Sequence, residues 1–210
     1  KYKKHTPLGL LAVERCSDLI QRAIKLEQQN FLYIKALGSP WVQFNGHTLN
    51  LSHRQIEILC ILALHPHGIG LEELHYALYG ERSVSLKTLK AELSQLRSLL
   101  PHSIEPRIYR LSCEVQCDFL SAEQSLNANL ISSTFSLYKG SFLSKSESPL
   151  LSTWRHCFDA RLSQLIYQIR DIDQLLRIIG QTHDRIDAVQ RLLELLPQDS
   201  IHRNYFTNLI

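Results

Sequence analysis

The sequence predicts a mainly α-helical chain with small β hairpins, and three observations predict it. Asn45-Gly46 lies between two short stretches in which apolar and polar residues alternate, Trp41-Val42-Gln43-Phe44 and Leu49-Asn50-Leu51, the signal of a tight hairpin. From Ser52 to Leu100, apolar residues recur at three- and four-residue steps, in runs broken by Pro66, Gly68 and Gly80. From Phe158 to Leu196 further runs of the same period follow, punctuated by Gly180 and Pro197. Such spacing is that of helices with one buried face.

Taken in order, the first segment, Pro7 to about Leu37, reads as an amphipathic helix. Leu11, Leu19, Ile20, Ala23, Leu26 and Ile34 are its apolar positions, with a polar break at Gln28-Gln29-Asn30. The Asn45-Gly46 hairpin follows. Ser52 is the expected N-cap of a helix whose buried face is Ile56, Leu59, Cys60, Ala63 and Leu64. Pro66 and Gly68 stop it. A second helix starts near Gly70, with Glu72 and Glu73 in the first turn where the helix dipole favours carboxylates. Leu71, Leu74, Leu78 and Tyr79 form its inner face. The third runs from about Ser85 to Leu100, with Leu86, Leu89, Leu93, Leu96 and Leu100 inward. A small hairpin closes the segment.

That order of elements is a winged helix-turn-helix. The third helix turns Lys87, Thr88, Ala91, Gln95 and Ser98 outward, with Lys90, Ser94 and Arg97 on one flank. A polar, short-chained, cation-tipped face suits entry into a DNA major groove about 12 Å wide. An ordinary amphipathic surface helix has the same pattern, and both readings stand at this point.

The residues also carry a resemblance. Asn45-Gly46, Leu51 through Leu59, His65-Pro66, Leu71-Glu72-Glu73-Leu74, Leu78-Tyr79-Gly80, Thr88-Leu89, Leu93 through Arg97 and Tyr109-Arg110-Leu111 resemble the OmpR/PhoB-type winged helix. Val115 through Phe119, Phe135 through Leu143, Trp154-Arg155, Arg161-Leu162 and Ala188 through Pro197 are similar to the bacterial transcriptional activation domain of SARP/AfsR-type regulators. Thr6 through Val13 resembles the exit helix of GAF-type sensory domains. The resemblance implies three parts. Residues 1–38 would be a linker or signalling helix ending an upstream sensory domain. Residues 39–117 would be the winged helix, and residues 118–210 an all-helical, TPR-like module.

It also implies a sequence-specific regulator of transcription, an activator, that binds double-stranded DNA. RNA polymerase is the implied protein partner, and a homodimer would form through the N-terminal helix or the helical module. Lys87, Thr88, Ala91, Glu92, Ser94 and Gln95 stand at the reading positions of the recognition helix. Thr88 and Arg97 suit phosphates, Gln95 adenine and Lys87 guanine, with Lys90 and Arg110 adding positive charge. Arg107 lies in the wing, towards the minor groove. Two departures from the family pattern stand out. Glu105-Pro106-Arg107-Ile108 replaces a Gly-rich wing tip, and Glu92 occupies a position where a basic or neutral residue is commoner.

Composition bounds the rest. The 210 residues carry a net charge of +3, unevenly spread. Residues 1–40 are net +4, 41–118 net −1 and 119–210 neutral, while Gly80 to Leu111 alone is net +3. The slight acidity of the winged helix favours an alternative, a degenerate winged helix acting as a protein-interaction module without DNA binding. The five cysteines are odd in number and irregularly spaced, which points to reduced thiols and a cytoplasmic protein. Cys113 and Cys117 lack a second ligand pair for a metal site. Trp154 and Arg155 read as core before partner-binding hot spot. No membrane span, catalytic constellation or cofactor motif is found, so no enzyme, metal or cofactor is expected. Methionine is absent, so the chain is expected to be a piece of a longer protein.

Overall fold

The computed structural model describes residues 30–208 apart from 183, 199, 201 and 202. Most of the expected N-terminal helix, with its dimer and sensor roles, lies outside the described residues. Its last turns do not. Phe31–Lys35 is a strand, β1, and not the end of a helix running to Leu37. Its side chains alternate, Leu32 and Ile34 being buried and Phe31, Tyr33 and Lys35 half-buried, so the period is two and not 3.6. Ile34 fits a helical stripe as well, because one apolar residue is compatible with either period.

β1 lies inside a four-stranded sheet with β2 (Trp41–Phe44), β3 (His47–Leu49) and β4 (Glu114–Cys117), in the order β3-β2-β1-β4. The β2–β3 hairpin turns at Asn45 and Gly46, both at positive φ (49° and 81°), as a two-residue turn of this hand requires. Asn45 Oδ1 accepts from the Phe31 amide at 2.8 Å, tying the tip to β1. β4 returns parallel to β1, pairing Ile34 with Cys117.

Three helices pack on one another and share a core with this sheet: α1 (His53–Leu64), α2 (Leu71–Tyr79) and α3 (Leu86–Leu99). α1 is buried all round from Gln55 to Leu62, beyond the single apolar face read from its period. The second half of the protein covers its other side. That half holds α4 (Asp118–Asn127), α5 (Ile131–Leu137), α6 (Pro149–Gln168), α7 (Ile172–Gln181), α8 (Ile186–Leu195) and α9 (Arg203–Thr207). α4 pairs with α5 and α7 with α8, while α6 packs on α1 and α2 of the first half. Gly180 falls inside α7 and does not end it. Leu176, one of the apolar residues of α7, is exposed.

The two halves share one hydrophobic core. Trp154 stacks on Phe158, with ring centroids 4.9 Å apart, and packs against Phe119 and Phe142. Arg155 donates to the carbonyls of Phe142, Leu143 and Ser146. Both residues therefore hold the loop before α6 in place. The fold is a winged helix-turn-helix followed by a helical domain.

Candidate nucleic-acid interface

α3 is positioned from both ends and both flanks. Ser85 caps it, its hydroxyl accepting from the Thr88 amide, and the Thr88 hydroxyl lies 3.2 Å from Ser85 Oγ. Leu89, Leu93 and Leu96 are buried in the core, and Leu100 beyond the last turn is buried with them. Leu86, read as the first inward leucine, is 37% exposed; it lies in the first turn, ahead of the core. Lys87, Thr88, Lys90, Ala91, Ser94, Gln95 and Ser98 are exposed, as expected, and Glu92 is half-buried.

The wing stands on one flank of α3. It is pinned by a single bridge, Ile104 to Leu111, rather than by two full strands. The Glu105 amide donates to the Arg110 carbonyl across its turn, and Arg107 sits there at φ 73°. The turn between α1 and α2 docks against the wing through two bonds joining Ile69 and Tyr109, at 3.0 and 2.9 Å. Gly68 makes this approach possible. Its φ is +92°, and a Cβ there would fall on the Ile108 side chain.

Charge is distributed unevenly among the expected DNA-contact residues. Arg97 lies over the Tyr109 ring, 5.3 Å from its centroid, with Nε and Nη2 buried and unpaired among the described residues. Its guanidinium thus joins α3 to the wing by a cation–π contact. Arg110 makes a two-pronged bond to Glu105, at 2.8 and 2.9 Å. Arg82 pairs with Glu147 of the helical half. That leaves Lys87, Lys90 and Arg107 with no acidic partner among the described residues.

On the other flank, a hollow between α3 and the start of α1 is lined by Asn50, Ser52, Gln55, Glu92, Gln95 and Ser98. One oxygen of Glu92 is buried there without a hydrogen-bond partner among the described residues. Gln55, which no sequence argument singled out for function, donates from Nε2 to Gln95 Oε1 at 3.0 Å. The signal was present: Ser52-x-x-Gln55 is the capping-box spacing, and the box is formed.

Among the described residues, those around Cys113 and Cys117 included, no group of three or more His, Cys, Asp or Glu could hold a metal ion. Burial pushes the Cys117 thiol up to about 12. No described helix is long and apolar enough to cross a membrane.

No protein-family model matches the chain. A relative from Rhodococcus erythropolis, an uncharacterized 47.3 kDa protein in the thcA 5' region, is 28% identical over 153 residues. The match takes in 72% of this chain and 35% of the relative, so the chain spans about a third of that protein's length. Among solved structures, Mycobacterium tuberculosis EmbR, in complex with a low-affinity phosphopeptide, superposes with a TM-score of 0.50 at 16% identity. It covers 86% of this chain and 56% of the EmbR chain. The likeness is one of fold, and that coverage takes in parts of both the winged helix and the helical half.

Proposed function

We propose that this chain is the DNA-binding output module of an OmpR/PhoB- and SARP-like transcriptional regulator. α3 enters the major groove of double-stranded DNA, and the wing tip follows the neighbouring backbone or minor groove. The observation that carries this reading is the set of unpaired cations. Lys87 and Lys90 on α3 and Arg107 on the wing frame an exposed polar face of Thr88, Ala91, Ser94 and Gln95. Cations without internal acidic partners are available to neutralise phosphates, and short polar side chains between them suit base edges. Arg97 and Arg110 serve this face indirectly, Arg97 by setting the wing against α3 and Arg110 by bracing the wing turn through Glu105. The helical half presents a surface for RNA polymerase, and the full-length protein works as a homodimer activating transcription.

A second reading has its own support. Residues 41–118 are net −1, and Arg82 and Arg110 are tied up in ion pairs. A winged helix of that charge also suits a protein-interaction module. Amide chemical-shift mapping of the labelled chain with a mixed-sequence duplex separates the two. Perturbations confined to Ser85–Ser98 and Glu105–Arg110 are expected; a spectrum unmoved by duplex at low salt favours the second reading.

A further inference from the structure

Side-chain amides are ambiguous about which end is oxygen until a neighbour with one chemical role decides it. Here a backbone amide decides. The Ser52 N–H only donates, and it points at the Gln55 side chain at 3.0 Å, so the atom it meets is Gln55 Oε1. The other end of the Gln55 amide is then Nε2, which only donates. It meets Gln95 at 3.0 Å, so the Gln95 atom there is Oε1. Two steps from the main chain fix the orientation of a side chain on α3. Among the described residues nothing accepts from Gln95 Nε2.

We propose that Gln55 is a positioning residue that sets Gln95 as a hydrogen-bond donor towards whatever α3 reads. The inference rests on the DNA-reading assignment of α3 and deepens it. An unconstrained glutamine pairs with adenine through both ends, accepting from N6 and donating to N7. With its oxygen turned to Gln55, Gln95 offers its NH2 end. It selects a base edge with acceptors only at the contacted atoms: guanine through O6 and N7, or thymine through O4. Pairing with adenine would need Oε1 to accept a second hydrogen bond, through its remaining lone pair, while it faces Gln55, so the donor-led contact is favoured over it. Gln55 itself is 6% exposed and held at both ends by the capping box and Gln95, so its own rotation is suppressed.

The relay is reversible by one atom. In Gln55→Glu, one carboxylate oxygen still accepts from the Ser52 amide, and a carboxylate near the start of α1 suits the helix dipole. The other oxygen now demands a donor, so the Gln95 amide turns over and presents Oε1. The variant then selects a base carrying a donor, adenine or cytosine, at the same position.

The test is selection from a randomised double-stranded DNA library with the full native chain, Gln55→Glu and Gln95→Ala, each first checked by thermal melting. Native protein is expected to prefer guanine or thymine at one position where Gln95→Ala prefers nothing. Gln55→Glu is expected to change that position alone to adenine or cytosine, by at least 10-fold in enrichment. The proposal is overturned if native protein prefers adenine or cytosine there, or if Gln55→Glu leaves the preference unchanged. It is overturned equally if Gln95→Ala alters no position. Should Gln55→Glu not fold, Gln55→Met serves instead: it frees Gln95, and an unbroadened preference at that position counts against the relay. Native protein that enriches no duplex defeats the DNA-reading assignment itself, a result distinct from enrichment with an unswitched base.

Discussion

Lys87, Lys90 and Arg107 differ from Arg82 and Arg110, which are held by acids, and from Arg97, which lies over the Tyr109 ring, and that difference was invisible in the sequence. Residue type made Arg97 and Arg110 equal candidates; only three-dimensional contacts show one over the Tyr109 ring and the other held by Glu105. Three available cations imply a modest electrostatic footprint. Each phosphate contact contributes about −0.9 to the slope of log affinity against log salt, so about −3 per protomer is expected, and Lys87→Ala should lower its magnitude by about one. The cysteines separate by burial in the same way. Cys60 and Cys117 are buried, with thiols pushed up by desolvation, whereas Cys157 is exposed. Titration with a thiol reagent at pH 8 should lose a fast-reacting group in Cys157→Ser and none in Cys117→Ser. A fast phase that disappears in Cys117→Ser would contradict the burial described here.

Among the elements, the helices and the β2–β3 hairpin were legible because each carries its own local signal. Asn-Gly, Ser caps and leucine periods need no distant partner. β1 and β4 were not legible as a sheet. They pair across about eighty residues of chain, and a five-residue strand gives too few alternations to beat a flanking helical pattern. Asp118 is what joins them to the next half. Its carboxylate accepts from the amides of Ala36, Leu37 and Phe119, at 2.8, 3.0 and 2.7 Å, linking the end of β1 to the start of α4. Asp118→Asn puts an NH2 against one of these donors and should destabilise the protein by about 1–3 kcal/mol in denaturant unfolding. Burial raises the Asp118 carboxyl above its ordinary value, against the pull of those amides. The folded form therefore holds this proton more tightly than the unfolded chain. That contribution is complete below the ordinary carboxylate pKa and declines as pH rises through the raised value. Asp118→Asn should remove this part of the pH dependence, and an unchanged profile would show that another group causes it.

For the molecule as a whole, the winged helix and the helical half are distinct in sequence pattern but joined by one core. α1 is enclosed because α6 closes over it. Buried Glu57 pairs with Arg54 at 2.7 Å and accepts from the Ser146 hydroxyl, and Ser148 donates to the Ala77 carbonyl. Glu57→Ala leaves Arg54 without its partner and should cost about 3 kcal/mol. Both halves should still melt in one calorimetric transition; two separate transitions in the native chain would contradict the shared core. Under the proposed function, a joint of this kind would carry the helical half to DNA in a set orientation. The most direct test of that role is fluorescence anisotropy with labelled duplex DNA at several salt concentrations, comparing the native chain with Lys87→Ala/Gln95→Ala. Binding that weakens steeply with salt, and is at least 10-fold weaker in the double variant, is the predicted result. No binding at low salt, or equal binding by the two proteins, would contradict it.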